Sequence, residues 1–230
     1  TGFEAEKAGD SRVDVTVEWV HSAYTVSPCL RSKMTFSVFG NGDIRLKTSF
    51  IPLRELAYLP KLGVQMKLNG DLDRVLWYGR GPHENYPDMH ESARVGLYTA
   101  LVEDLHEPYV RPQENGARGG IRCLALTDIL GAGFMVIGEQ VDGEGFSFTA
   151  HDYTDQALDQ AQHTYELESQ DMTVLSLDYR QGGLGSNICG PEPQEQYQLK
   201  LEKEESYTLM FRPYSRQKGE MINFARCMAE

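Results

Sequence analysis

The sequence predicts an all-β protein, a large antiparallel sandwich or barrel, and three features carry that prediction. Apolar residues recur at every second position through most of the chain, turn-forming residues interrupt them at short intervals, and only one stretch has clear helical spacing. Without repeated strand-helix units there is nothing to build a parallel sheet, and a dozen or so short strands in 230 residues suit antiparallel layers.

The first clear strand is RVDVTVEW, Arg12 to Trp19, which sets Val13, Val15 and Val17 on one face. KMTFSVFGNGDIRLKTSF repeats the alternation on both sides of Asn41-Gly42, a pair suited to the positive-φ positions of a hairpin turn. Further strands are expected at GVQMKL, DRVLWYG, RVGLYTALV, IRCLALTD, GFMVIGE, FSFTAHDY, TVLSLDY, YQLKLE and SYTLMFRPY. The single helix is expected in TDQALDQAQHTYELES, with Thr154 or Asp155 as N-cap and Ala157, Leu158 and Ala161 at helical spacing. Residues 216–230 leave the strand pattern and read as a tail or terminal helix. No repeat or linker divides the chain, so residues 1–230 read as one domain.

Hydrophobic residues make up 40% and charged residues 24%, an ordinary globular balance. A net charge of −12 with scattered Lys and Arg argues against nucleic acid or an anionic membrane and suits a neutral substrate or a protein partner. No apolar run approaches the about 20 residues of a membrane span, and TGFEAEKAGD lacks a signal-peptide core. The expected compartment is therefore the cytoplasm, with the periplasm as the alternative. A start at Thr1 suggests processing or excision from something longer. Cys29, Cys123, Cys189 and Cys227 are too widely spaced for a zinc site and too few for a disulfide scaffold, so free thiols are expected.

The glycine clusters fail as nucleotide motifs: the third position after Gly79 and Gly81 is Glu84, that after Gly183 and Gly185 is Ile188, and no Walker lysine follows. The densest polar stretches are WYGRGPHENYPD and PQENGAR. Glu84, Asp88 and Glu114 are the carboxylates there, and retaining glycoside hydrolysis needs two carboxyls about 5–5.5 Å apart. Carboxylates, amides and Arg also suit hydrogen bonding to sugar hydroxyls, with aromatic rings to stack on the sugar face. The structural alternative is that Arg80, Glu84, Glu114 and Arg118 form ion pairs pinning two long loops to the sheet. His83, His90, His106, His151 and His163 are acid-base candidates without metal-like spacing. Ser147 and Cys189 are nucleophiles on paper only, since no His and acid arrangement accompanies them.

Five motifs in order, LPKLGVQMKL, WYGRGPHENYPD, PYVRPQENGARGGIR, FSFTAHDYTDQAL and LDYRQGGLGSNICGP, resemble the C-terminal small-chain domain of bacterial β-galactosidases of glycoside hydrolase family 2. The resemblance runs from about Leu59 to Tyr214, and the upstream hairpin fits it. It implies a supersandwich like that of galactose mutarotases, and hydrolysis of terminal β-D-galactosides such as lactose by the enzyme as a whole. In that family the nucleophile, the acid/base glutamate and the Mg and Na ligands sit in a TIM barrel, for which this chain has no alternating strand-helix pattern. No catalytic residue, cofactor or metal is therefore expected in this chain, and the isolated chain is expected to be inactive. Its partner would be the TIM-barrel catalytic region, joined covalently or as a separate subunit, together with the galactoside.

The resemblance also implies a loop reaching over the active-site mouth, with Cys189 where some members carry a sugar-stacking tryptophan. Asn187, Ile188 and Cys189 would then line the substrate pocket. Arg80, Glu84, Asn85, Glu114, Asn115 and Arg118 would bridge two loops at one end of the sandwich and could contact sugar. Two rivals stand beside this reading: a free-standing mutarotase-like epimerase and a non-catalytic carbohydrate-binding module.

Overall fold

The structure, a computed structural model, describes residues 2–22, 26–139, 144–185 and 192–226. In chain order its strands are β1 (Gly2–Lys7), β2 (Arg12–His21), β3 (Leu30–Phe39), β4 (Ile44–Pro52), β5 (Lys61–Asn69), β6 (Arg74–Gly81) and β7 (Arg94–Leu101). They continue with β8 (Arg118–Ile121), β9 (Cys123–Thr127), β10 (Ala132–Gly138), β11 (Phe146–His151), β12 (Met172–Gln181) and β13 (Glu205–Ser215). Two short helices, α1 (Asp155–Gln160) and α2 (Met221–Arg226), complete the regular structure apart from 3-10 turns. The strands form two sheets, one of nine in the order β1-β2-β3-β4-β13-β10-β9-β6-β7 and one of four in the order β5-β12-β11-β8. Every pairing between these strands is antiparallel, as the alternation and short turns require.

Asn41-Gly42 closes the β3–β4 hairpin, with Gly42 at φ 90° and Asn41 Oδ1 accepting from the Asp43 N–H at 3.0 Å. Alternation then decides what lies between the sheets. Leu46, Val75, Trp77, Leu124, Val136 and Leu209 of the larger sheet face Leu62, Val64, Phe148, Ala150, Leu175 and Leu177 of the smaller one. Trp77 and Phe148 meet edge to face across the layers, with ring centroids 5.7 Å apart. Each fully buried side chain of this size contributes about 1.5–3 kcal/mol, so this layer dominates the fold's stability.

Four details differ from the sequence expectation. The run IRCLALTD is two strands: Ile121 pairs in the smaller sheet, Cys123 in the larger, and the chain crosses between the sheets at Arg122. YQLKLE is not a strand; its alternation buries Leu199 and Leu201, but it makes a single bridge, Leu59 to Leu199. β1 was not expected, because Phe3 and Ala5 are its only apolar residues and all six of its positions are exposed. Residues 216–226 take the helix alternative of the sequence reading, and α2 is a second short helix where at most one was expected. Met221 is buried with Cys123, Ala125, Met135 and Tyr214 on the outer face of the larger sheet. This helix explains why every residue of β9 is buried: the smaller sheet covers one face and α2 the other. The expected helix is present as α1, capped by Thr154, whose Oγ1 accepts from the Ala157 N–H at 3.1 Å. Among the described residues no helix is long and apolar enough to cross a membrane.

Candidate functional site

In an antiparallel sheet with one face on the core, the other face is normally polar and wet. The outer face of the smaller sheet is polar and dry. Ser147 lies opposite Asp178, and Thr149 opposite Ser176, on β11 and β12, with His151 next along. Thr149, His151, Ser176 and Asp178 are nevertheless buried. The loop between β7 and β8 supplies contacts to this face at Glu114 and Asn115, and α1 supplies another at Asp155.

Four of the six bridging candidates, Glu84, Asn85, Asn115 and Arg118, bond mainly to backbone. Glu84 Oε2 accepts from the Gly116 N–H at 2.8 Å, and its Oε1 accepts from the Tyr109 hydroxyl. Asn85 Oδ1 accepts from the Gly119 N–H at 2.9 Å while its amide donates to the His83 carbonyl at 3.1 Å. Asn115 accepts from the Glu107 N–H at 2.9 Å and donates to the Gln113 carbonyl at 2.8 Å. Arg118, 3% exposed, donates to the carbonyls of Pro82, Leu105 and Gly116 at 3.3, 2.9 and 2.6 Å. Gly116 sits at φ 76°, and a Cβ there would lie 2.6 Å from the Leu105 carbonyl oxygen, so the loop needs glycine.

The ion pairs expected among Arg80, Glu84, Glu114 and Arg118 are not formed. Arg80 reaches Glu144 at 3.5 Å, Glu114 pairs with Lys61 at 3.0 Å, and Glu84 and Arg118 bind backbone groups instead. A buried guanidinium surrounded by carbonyls needs no carboxylate to satisfy its donors, which is why the expected pairing fails.

Beneath this knot lies a charged cluster that sequence reasoning missed. Lys61 of β5 bonds Glu114 at 3.0 Å and lies 4.0 Å from Asp155, and the register of β5 with β12 sets Asp178 opposite Gly63 on the same outer face. Three carboxylates thus share one ammonium. Burial pushes the Asp178 carboxyl up to about 7, partly opposed by Lys61 and reinforced by Glu114 and Asp155. Burial lowers the Lys61 ammonium, but Glu114, Asp178 and Asp155 outweigh it and leave the group raised. Asp178 Oδ2, Glu114 Oε1 and both polar atoms of the Gln181 amide are buried with no hydrogen-bond partner among the described residues. The available signal was Asp178 inside the apolar run VLSLDY, where a strand carries a carboxylate between two large side chains.

Two of the cavities that open beside the cluster adjoin Gln181. One of about 430 Å³ is lined by Tyr58, Tyr86, Glu114, Gln181, Gly183 and Tyr197. The other, about 220 Å³, shares Tyr86 and Gln181 and adds Arg80, Asn85, Ser147 and Tyr179. Asp88 fastens the rim of the first, accepting from the Leu184 and Gly185 N–H groups at 3.0 and 2.8 Å.

The histidines are dispersed. His151 Nε2 meets the Asn115 carbonyl at 3.0 Å, and burial pushes the ring down to about 4, so it is neutral near pH 7. His106 packs edge to face on it with centroids 6.0 Å apart. His83 bonds Ser92, His90 faces Glu91, and His163 bonds Glu166, all away from the Lys61 cluster. Cys123 is a core residue whose thiol burial pushes up to about 11. Among the described residues no group of three or more His, Cys, Asp or Glu has the arrangement of a metal site. Asn187, Ile188 and Cys189, the expected pocket residues, lie outside the described residues.

Residues 2–211 match the family described as Beta galactosidase small chain. A β-galactosidase of Vibrio cholerae is 36% identical over 199 residues, which cover 82% of this chain and 18% of that protein. One of Actinobacillus pleuropneumoniae is 34% identical over 164 residues, covering 71% of this chain and 15% of that protein. The chain therefore spans less than a fifth of the length of these curated relatives. Among solved structures, a galactose 1-epimerase from Lactobacillus acidophilus NCFM aligns at TM-score 0.48 and 8% identity, over 95% of this chain and 66% of that one. Two antiparallel sheets with only short helices, carrying the ordered motifs and the family match over nearly the whole length, make this chain a member of the β-galactosidase small-chain family.

Proposed function

We propose that this chain serves a β-galactosidase that hydrolyses terminal non-reducing β-D-galactosides, lactose among them, as the element that shapes the active-site entrance and the assembly of the enzyme. The observation that carries this reading is the family match over residues 2–211 in a chain that accounts for 15% and 18% of two of its relatives. The retaining chemistry, with its nucleophile, acid/base glutamate and Mg and Na ions, would come from a TIM-barrel region supplied covalently or as a separate subunit. Within this chain the Glu84, Asn85, Asn115 and Arg118 knot holds the loops, and Asn187, Ile188 and Cys189 would line the substrate pocket. Cys189 contributes soft packing on the aglycone side, in place of aromatic stacking.

The test uses the complete enzyme. Cys189→Ala should change KM for lactose or the ratio of transglycosylation to hydrolysis while leaving the unfolding midpoint unchanged. Identical kinetics toward lactose and toward other acceptors would remove the pocket role.

A second contribution is favoured by the Gln181 amide, which lines both cavities, and Glu114 Oε1 of the larger one, none of which has a partner among the described residues. An amide offers an NH2 donor group and a carbonyl acceptor in one plane, which suits a pair of neighbouring sugar hydroxyls, and tyrosines supply flat apolar walls. Glu114 would reject an anion and accept from a hydroxyl. On this reading the Tyr86–Gln181 cleft holds a neutral saccharide. Titrating galactose or lactose into the chain should shift the amides of Tyr86, Gln181 and Gly183, and the absence of any shift at tens of millimolar would remove the cleft. Polarimetry with α-galactose separates both contributions from an epimerase, which would accelerate mutarotation.

A further inference from the structure

A third cavity, of about 460 Å³, lies between the β7–β8 loop and α1, with Arg111, Gln113, Glu114, Leu158 and Asp159 in its wall. It is joined in series to the two cavities at Gln181. Glu114 lines both this cavity and the one of about 430 Å³, and Tyr86 and Gln181 line both that one and the one of about 220 Å³. A ligand running from α1 to the far end must therefore pass Glu114 and then Gln181. Each of the three spaces is large enough for one pyranose ring, and the two larger fall within the roughly 300–1,000 Å³ of small-molecule sites.

At both seams the shared side chain keeps hydrogen-bonding capacity open. Glu114 Oε2 accepts from Lys61 Nζ at 3.0 Å, while its Oε1 is buried with no partner among the described residues. At the second seam the Gln181 Nε2 and Oε1 atoms are both buried and without a partner among the described residues. Buried polar atoms are normally paired, and these three lie where a continuous ligand would cross. The lining also has both signs of charge. An anion would meet Glu114, Asp155 and Asp159, and a cation would meet Lys61 and Arg111. A hydroxyl both donates and accepts, so a neutral polyol satisfies both sets. Pro112 and Leu158 in the first cavity, and Tyr58 and Tyr197 in the second, supply apolar surface for the C–H faces of sugar rings.

We propose that this cleft binds a neutral linear oligosaccharide, one ring to each cavity, with Glu114 and Gln181 each bonding the hydroxyls beside a glycosidic link. The proposal rests on the reading of the Tyr86–Gln181 cleft as a saccharide site and extends that site past Glu114 to α1.

The test is titration of the 230-residue chain with galactose, lactose and a β-linked galactotriose, read by amide shifts and calorimetry. Galactose should shift the amides of Tyr86, Gln181 and Gly183 and leave Gln113 and Asp159 in place. The trisaccharide should shift all five and bind at least about tenfold more tightly than galactose. Gln113→Ala with Asp159→Ala should cut trisaccharide affinity by about tenfold, the effect of losing two hydrogen bonds, with galactose affinity unchanged. Both side chains are exposed, so the unfolding midpoint should not move. Silence from all three sugars at tens of millimolar would overturn the saccharide reading of the cleft and this extension together. Equal affinity for galactose and the trisaccharide, with shifts confined to Tyr86, Gln181 and Gly183, would overturn the extension and keep the cleft. Trisaccharide binding that the double variant leaves unchanged would remove the cavity beside α1 from the site, and the proposal with it.

Discussion

Asp43 and Asp178 are each 2% exposed, and the two regions that hold them handle a buried carboxylate in opposite ways. At the β3–β4 hairpin, Asp43 receives Arg212 Nε at 3.0 Å and Nη2 at 2.8 Å, with Asn41 Nδ2 at 3.2 Å. The Arg212 hydrogen bonds hold its carboxyl below the ordinary range against the opposing effect of burial. Arg212 also donates to the Phe224 carbonyl at 2.9 Å, so one guanidinium fastens hairpin, sheet and α2 together. On the outer face of the smaller sheet, Asp178 shares Lys61 with two other carboxylates and its Oδ2 has no hydrogen bond among the described residues. The contrast teaches where this fold is fastened and where it keeps polar capacity open, and the open region adjoins the Tyr86–Gln181 cleft through Glu114.

The largest effect should come from cutting the fastened region. Arg212→Met leaves Asp43 buried without its partner, and urea unfolding at pH 7 should show a loss of about 3–5 kcal/mol. Adding Asp43→Asn should recover most of it. A single-variant loss of only a few tenths would break the contrast from the Asp43 side.

The next effect separates the two carboxylates by pH. Asp178, held up to about 7 in the fold against an ordinary 3.8, keeps a proton that the unfolded chain gives up. Its contribution is most favourable below about pH 4, falls as pH rises toward about 7, and stays at its full cost above that. Asp178→Asn should therefore stabilise the chain at pH 8, by on the order of 4 kcal/mol at most, and change little at pH 4. Asp43 has the opposite sign: its depressed value contributes stability above about pH 4 that is lost as pH falls. Denaturant midpoints collected across pH for wild type, Asp178→Asn and Asp43→Asn check both slopes, and parallel profiles would erase the distinction.

A smaller effect sharpens the role of the loop knot. Asn85→Ala removes the bond from the Gly119 N–H and the bond to the His83 carbonyl, and should cost about 1–3 kcal/mol without altering galactoside contacts made by the cleft. A change in sugar binding with unchanged stability would move Asn85 from the knot to the site.

Much of this architecture was legible because alternation is a strong signal wherever one strand face meets a core. RVDVTVEW, the Asn41-Gly42 hairpin and the Thr154-capped helix all follow from local chemistry. The same signal misled at YQLKLE, where Leu199 and Leu201 alternate into the core from a segment that lacks a partner strand. Local chemistry was also blind to the second Asn-Gly pair: Asn69 makes the same bond to the Asp71 N–H that Asn41 makes to Asp43, yet the turn after β5 joins two different sheets. At the site, the motifs marked the polar loops, but not their partners. Arg118 looked like half of an ion pair and instead binds three carbonyls that only the folded loops bring together. Lys61, Asp178 and Gln181 stood in ordinary strand patterns, and their meeting depends on the β5–β12 register.

The most direct measurement is the hydrolysis of a chromogenic β-D-galactoside by the purified 230-residue chain, set beside the same chain assembled with the rest of its enzyme. The account predicts release at the buffer rate from the chain alone and enzymatic release from the assembly. Turnover by the chain alone at about 1 s⁻¹ or faster would contradict it, since the reaction would then need no barrel.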